Sequence, residues 1–206
     1  MKKNLVNLNA YKSSEFQRGR SGFVEGMWCL IQALFIASFV PGSMHRCFLL
    51  RLFGAKVGQR VVLKPGLKIK FPWRLQIAND VWIGENVWID NLTMVTINSN
   101  VCVSQGAYLC TGNHNWTSPN FDLITAPITI DDCVWVAARS TVGPGVNVSQ
   151  GAILTIGSVA TDDLEPWTIN SGNPAKRVKA RRLAKKTLEE AVNSERTENA
   201  NSQRLE

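Results

Sequence analysis

The chain of 206 residues is 45% hydrophobic and carries a formal net charge of +7 at pH 7, which fits one globular domain with short appendages. Its basic residues flank an acidic middle and form no basic stripe interleaved with aromatic side chains, so we expect no nucleic-acid partner. Five cysteines without a CxxC pair argue against a disulfide framework or a zinc cage and favour a reducing cytoplasm.

The first predicted element is an apolar segment, residues 23–40, within an N-terminal helical or extended region of residues 1–56. Its eighteen residues fall short of the about 20 that a spanning helix needs. We predict a helix that packs on the rest of the chain or at a subunit contact. The alternatives are a membrane span and a helix lying on the inner face of the membrane, where four arginines would flank it: Arg18, Arg20, Arg46 and Arg51.

Residues 57–175 carry the main signal, a large aliphatic side chain at every sixth position. The rows are Ile77, Ile83, Ile89, Ile97, Val103 and Leu109, with one two-residue slip, and Ile130, Val136, Val142, Val148 and Leu154. Six is even, so strand alternation returns each sixth residue to the same face, and stacked coils bury one another's faces. A helical period of 3.6 does not fit, which leaves ordinary alternating strands as the alternative.

This pattern resembles the hexapeptide-repeat acyltransferase superfamily over about residues 57–180. The resemblance implies an all-β fold, a left-handed parallel β-helix of six to seven coils with three hexapeptides in each. It also implies a homotrimer, because the family builds its active sites between subunits. Residues 176–206 are expected to form a basic C-terminal helix and tail.

One interruption of the repeat, the loop at residues 110–127, contains His114 in the run TGNHNW. Leu109 and Ile130 are 21 residues apart, which reads as three more than a whole coil. Histidine titrates near neutral pH and suits a general base. The resemblance implies that His114 deprotonates a sugar hydroxyl, which attacks the thioester carbonyl of acetyl-CoA. The alternative is a loop histidine without a chemical role.

Further site residues follow from the same resemblance. Similarity to galactoside and maltose acetyltransferases places the acceptor at four residues: Asp90, Asn91, Asn113 and Trp116. A corner turn is the alternative for the first two, and packing between subunits for the tryptophan.

Acetyl-CoA is expected along the last coils, at Ala138, Ile156 and Thr161, with its phosphates on Lys176, Arg177 and Lys179. The alternative for the three cations is a solvated basic tail. Many relatives read Thr-Lys-Asp where this chain has Thr161-Asp162-Asp163, so one lysine sometimes used for CoA phosphate is missing.

More specifically, the chain resembles the colanic acid biosynthesis acetyltransferase subfamily, through LLRLFGAKVG, VWIGENVWIDN, YLCTGNH and a closing PAK. That implies metal-independent O-acetylation of a nucleotide- or lipid-linked sugar in bacterial surface or extracellular polysaccharide assembly. Two histidines are too few for the three-histidine metal site of a carbonic anhydrase on this fold. The remaining alternatives are an acyltransferase with another acyl donor and a non-catalytic polysaccharide-binding β-helix.

Overall fold

A computed structural model describes residues 6–11 and 16–184. The helices are α1 (Gly22–Ile31), continued by a π-helical turn (Gln32–Ile36), and α2 (Met44–Leu52), with 3-10 turns at Leu8–Ala10 and Pro72–Arg74. The strands are β1 (Lys56–Val57), β2 (Val62–Leu63), β3 (Lys68–Ile69), β4 (Leu75–Ile77), β5 (Trp82–Ile83), β6 (Trp88–Asp90), β7 (Val95–Ile97), β8 (Cys102–Val103), β9 (Tyr108–Cys110), β10 (Gly112–His114), β11 (Leu123–Thr125), β12 (Ile128–Ile130), β13 (Trp135–Val136), β14 (Thr141–Val142), β15 (Asn147–Val148), β16 (Ile153–Leu154), β17 (Val159–Ala160), β18 (Thr168–Gly172) and β19 (Ala175–Ala180).

The strands stack into three sheets that form the sides of a prism. Face A contains β1, β4, β7, β12 and β15, face B contains β2, β5, β8, β13, β16, β18 and β19, and face C contains β3, β6, β9, β14 and β17. Every pair between coils is parallel, and the aliphatic rows point inward and are buried. The predicted parallel β-helix is therefore confirmed.

The stack has five complete coils, so the prediction of six to seven is wrong. The first two coils each take 20 residues, since Lys56 pairs with Gln76 and Gln76 with Thr96. A sixth turn begins at Leu164, which bridges Val148 on face A, and continues as β18 on face B. Strand β19 folds back on β18 antiparallel, which ends the coils.

Most corners of the prism turn through a residue with a left-handed backbone, three positions after an inward aliphatic. Between faces A and B these residues are Arg60, Asp80, Asn100, Cys133 and Gly151, and between faces B and C they are Gly66, Asn86, Gly106, Arg139 and Gly157. Glycine and asparagine tolerate that backbone better than most residues. A short hexapeptide step thus ends in the same turn in successive coils.

The corner between faces C and A is where the coils carry extra residues. Three of its steps exceed six residues: Ile69 to Ile77, Ile89 to Ile97, and Leu109 to Ile130. Because Ile130 pairs with Ile97, the last step spans one face, with an insertion of fifteen residues. The sequence had suggested a whole coil with three extra residues. These insertions build the candidate active site.

The N-terminal helices cover the open edge of the first coil. Trp28, Ile36 and Leu50 are fully buried. The Trp28 indole donates to the Ile69 carbonyl at 2.8 Å, and the Gln32 side chain accepts from the Ile69 amide at 2.6 Å. The segment therefore packs on the coils, and within the described residues neither helix is long and apolar enough to cross a bilayer.

Arg46, one of the four arginines expected beside the apolar segment, does not offer its charge to the surface. Its side chain is fully buried, and its guanidinium donates to the carbonyls of Ile36 and Val40, each at 2.9 Å, and of Ser38 at 2.6 Å. Burial lowers the pKa of this guanidinium. Arg46 holds the turn between the two helices.

The predicted C-terminal helix is wrong where the chain is described. Residues 175–180 form strand β19, and residues 181–184 have no regular structure. The edge of β18 offers unpaired backbone groups, and pairing with them overrides the helix propensity of a Lys- and Arg-rich run. The rest of the predicted helix and tail lies outside the described residues.

Candidate active site

His114 lies on a hairpin that projects from the corner between faces C and A. It is the last residue of β10 and pairs with Leu123 of β11. The turn between these strands is closed by Asn115 and Asp122: the Asn115 amide donates to the Asp122 carbonyl at 2.8 Å, and the Asp122 carboxylate accepts from the Ser118 hydroxyl at 2.6 Å. The hairpin therefore holds His114 on a defined backbone.

The imidazole of His114 is held by Phe121. Nδ1 is 2.8 Å from the Phe121 carbonyl oxygen, and the two rings stack with centroids 4.5 Å apart and planes 13° apart. A carbonyl oxygen only accepts hydrogen bonds, so Nδ1 is the donor, and in the neutral imidazole the lone pair is on Nε2. Phe121 has a φ of +57°, which is unfavourable for a bulky residue.

A cavity of about 370 Å³ opens beside the ring. Its lining comes from the N-terminal segment, α1, the inserted corner residues and the hairpin: Tyr11, Phe16, Arg18, Glu25, Lys70, Phe71, Leu92, His114 and Leu123. The cavity therefore combines aromatic walls with charged groups, a lining that suits a polar ring with an anionic substituent.

Sequence reasoning missed the contribution of the N-terminal segment. The Tyr11 ring lies edge-on to His114, with centroids 6.1 Å apart. The Asn7 amide donates to the Pro119 carbonyl at 2.8 Å, and the Trp73 indole donates to the Arg18 carbonyl at 2.8 Å. No local pattern marks these residues, because the contacts join positions far apart in the chain.

The cavity is lined by two cations and one carboxylate. Arg18 and Glu25 form an ion pair at 3.0 Å, and the Lys70 ammonium is 3.8 Å from Asp90. Both pairs are partly exposed, so each is worth about 0–1 kcal/mol. The cations therefore remain available to an anionic ligand.

Asp90 is half-buried at the end of β6. The Tyr108 hydroxyl donates to its Oδ2 at 3.2 Å, while among the described residues Oδ1 is buried without a hydrogen-bond partner. Burial, with smaller effects from Cys110 and Asp90, raises the pKa of Tyr108, which therefore stays a neutral donor. The charge nearest to Oδ1 of Asp90 is the Lys70 ammonium, at 3.8 Å.

Asn91, predicted as a sugar ligand, is fully buried. Its Oδ1 accepts from the Phe71 amide at 2.9 Å, and its Nδ2 donates to the carbonyls of Phe71 at 2.6 Å and Arg74 at 3.0 Å. Asn91 therefore holds the inserted corner behind the cavity and does not present its amide to a ligand.

The other two predicted acceptor residues are exposed on the hairpin. The Asn113 side chain accepts a hydrogen bond from the His114 amide at 2.8 Å. Trp116 is 74% exposed, so its ring is free to cover a ligand or another surface. Asn113 directly precedes His114 on β10, and Trp116 follows His114 by two residues in the hairpin turn.

Two of the predicted donor residues meet at the corner between faces B and C. Ala138 and Ile156 occupy adjacent coils, and the Gly157 amide donates to the Ala138 carbonyl at 3.0 Å. Thr161 lies one face farther along the chain, directly after β17, and is exposed. The structure therefore brings Ala138 and Ile156 together on one edge of the prism and places Thr161 at the next corner.

The three predicted phosphate-binding cations lie on β19. Lys176 pairs with Asp162 at 3.3 Å, and Arg177 pairs with Glu165 at 2.9 Å. All four side chains are more than half exposed, so these pairs are weak. Lys179 is exposed on the same strand. The partner of Lys176 is thus the Asp162 carboxylate, at a position where the resemblance would imply a lysine.

No family model matches the chain. It is 34% identical over 173 residues to the colanic acid biosynthesis acetyltransferase WcaF of Escherichia coli, an alignment that covers 83% of this chain and 94% of that protein. The chain belongs to the hexapeptide-repeat acetyltransferase family. It is also 26% identical to the E. coli galactoside O-acetyltransferase over 125 residues, 59% of this chain and 62% of that protein.

The solved structures of the family share the fold. The hexapeptide-repeat acetyltransferase VCA0836 of Vibrio cholerae, complexed with acetyl coenzyme A, matches with a TM-score of 0.75 at 19% identity, over 85% of this chain and 97% of that one. The fold class predicted from the sequence, a left-handed parallel β-helix, is thereby confirmed.

Proposed function

We propose that this acetyltransferase transfers the acetyl group of acetyl-CoA to a hydroxyl of a sugar in the assembly of a bacterial surface or extracellular polysaccharide. The observation that carries the proposal is the fixed tautomer of His114 at the wall of a polar cavity. The name of the related WcaF supports a polysaccharide pathway, and the E. coli galactoside enzyme supports a sugar acceptor. The acetyl coenzyme A complex of the V. cholerae enzyme supports the donor.

The reaction transfers one proton and replaces the C–S bond of the thioester with the C–O bond of an ester. Nε2 of His114 takes the proton of the sugar hydroxyl as its oxygen attacks the thioester carbonyl, and the C–S bond breaks to release the CoA thiol. The proton on Nε2 then passes to the departing thiolate. The Phe121 carbonyl stabilises the imidazolium that forms between these steps, because it accepts the Nδ1 proton throughout. No metal is required.

We propose that Asp90, Asn113 and Trp116 contact the acceptor. The carboxylate of Asp90, half-buried beside Lys70, suits a sugar hydroxyl, and the exposed Trp116 ring suits an apolar sugar face. Arg18 and Lys70 suit a phosphate on the acceptor, as a nucleotide- or lipid-linked sugar would carry. Asn91 acts by holding the corner that supports this cavity.

The donor is proposed to lie along the corner of Ala138 and Ile156, near Thr161. Main-chain groups there suit the amides of the pantetheine arm. The phosphates of CoA would replace Asp162 and Glu165 as the partners of Lys176 and Arg177, with Lys179 nearby. The pairs are exposed, so this exchange costs little.

We propose a homotrimer, which the positions of the two proposed half-sites support. His114 lies at the corner between faces C and A, and the donor residues lie mainly at the corner between faces B and C. A neighbouring chain would bring its donor corner to this chain's hairpin. Face B supports the contact, because its outward positions are apolar or cysteine in every coil: Val62, Trp82, Cys102, Trp135, Ile153 and Ile169. On face A the outward positions are Lys56, Gln76, Thr96, Thr129 and Asn147, all polar.

Free thiols at all five cysteines suit the cytoplasm, where acetyl-CoA is made.

The proposal is tested by mass spectrometry of products after incubation of the enzyme with acetyl-CoA and a panel of nucleotide- and lipid-linked sugars. We expect an acetyl ester on one saccharide and release of CoA in equal amount. Transfer from another acyl donor but not from acetyl-CoA would refute the donor. Saccharide binding with no transfer from any donor would indicate a non-catalytic protein.

A further inference from the structure

The N-terminal helices bury one side on the coils and leave the other side apolar and exposed. Residues on this outer side, which we call the cap face, recur at helical spacing: Phe23, Met27, Leu30 and Leu34 in the first helical segment, Phe39 after it, and Met44, Phe48 and Leu52 in α2. Eight large apolar side chains on one surface form a patch that a monomeric soluble protein rarely exposes.

Charge around the cap face is strongly positive. The first coil and the corner that follows it, residues 56–74, lie under the cap and contain six Lys or Arg and no Asp or Glu. The next stretch, residues 75–110, contains three Asp or Glu and no Lys or Arg. Arg20 adds a cation at the cap itself, where it lines a groove with Met27 and Leu52. Arg60 and Lys70 pair with Asp80 and Asp90 of the next coil. The excess positive charge at the end of the prism that carries the cap face is therefore on exposed side chains that include Arg20, Lys56, Lys64 and Lys68.

We propose that the cap face docks on the surface of an anionic lipid bilayer. Apolar side chains beside exposed cations are the arrangement of a protein segment that lies in the interface of such a membrane. Helices too short to span suit a surface contact and not an inserted one. A second copy of the chain is a poorer occupant, since two cap faces would bring their cations together.

The homotrimer proposed above strengthens this contact. In a cyclic trimer with parallel prisms, three cap faces lie on the same side and bind one membrane together. Glu25 of α1, two residues from Phe23, also lines the cavity at His114. Docking would therefore hold the active-site cavity close to the lipid surface.

The test is flotation of the full chain with vesicles of phosphatidylcholine alone, or of two parts phosphatidylcholine to one part phosphatidylglycerol. We expect binding to the anionic vesicles, and binding at least about tenfold weaker to the neutral ones. High salt should weaken binding several-fold without abolishing it, because salt screens the charges but not the apolar contact. No flotation with anionic vesicles would overturn the proposal.

The variant Phe39→Ser/Met44→Ser/Phe48→Ser identifies the surface. These side chains are 90%, 86% and 63% exposed, so the variant should unfold at the wild-type temperature and lose at least about tenfold in vesicle partitioning. Val178→Ser/Leu183→Ser removes exposed apolar side chains from the C-terminal end and should bind as wild type. A triple variant that floats like wild type, or that changes only the mass of the assembly, would overturn the proposal. Neither readout requires acetyl transfer, so the result is independent of the proposed activity.

Discussion

Replacement of Asn91 by alanine tests whether this residue supports the site or contacts the sugar. The change removes one acceptor and two donor contacts at the inserted corner, at the Phe71 amide and at the carbonyls of Phe71 and Arg74. Because the Phe71 amide is buried, it is left without a partner, at about 1–3 kcal/mol, and each lost bond to a carbonyl adds about 1 kcal/mol. We expect the free energy of unfolding to fall by about 3–5 kcal/mol.

Urea unfolding at fixed protein concentration, followed by tryptophan fluorescence, measures this loss. Asn113→Ala is the matched control, since Asn113 is exposed beside His114 and its side chain accepts only from the His114 amide. It should leave the unfolding free energy within about 0.5 kcal/mol of wild type. If Asn91→Ala is as stable as wild type and only the acceptor KM rises, the corner role is refuted and Asn91 is a direct ligand.

Two further predictions concern assembly and the donor. Trp135→Glu on face B should reduce the trimer to smaller species in analytical ultracentrifugation, whereas Thr129→Glu on face A should not. A wild-type mass near 23 kDa at micromolar concentration would refute the trimer. Replacement of Lys176, Arg177 and Lys179 together by alanine should raise the KM for acetyl-CoA about tenfold or more, because each phosphate contact is worth about 1–3 kcal/mol. The acceptor KM should not change. If the triple variant binds acetyl-CoA as tightly as the wild type at low salt, the three cations do not bind its phosphates and form only a solvated basic segment.

The period-six rows predicted the fold because each row member must point into the narrow interior. Strand alternation puts Trp82, Trp88 and Trp135, each one residue before an inward side chain, on the outside, and all three are exposed. The number of coils was misjudged because a residue count cannot tell a coil from an insertion. That distinction depends on which strands pair, as Ile130 does with Ile97.

The sequence predicted only those residues of the candidate site that belong to a local motif. His114 stood out because it interrupts the repeat within a recognisable motif. The burial of Asn91 was not predicted, because a short polar side chain after a strand suits a turn, a ligand or a buried anchor equally. Tyr11 and Phe16 were missed because they reach the cavity through contacts with residues about 100 and 55 positions away.

The role of His114 as the base is tested most directly by the turnover of His114→Ala. With acetyl-CoA and the saccharide found by mass spectrometry, we expect kcat to fall by about 10²–10⁴-fold, the usual contribution of a general base. Acetyl-CoA affinity, measured by calorimetry, should stay nearly unchanged, because the donor residues lie on other elements. A variant that turns over at the wild-type rate would contradict the account and remove His114 from the reaction.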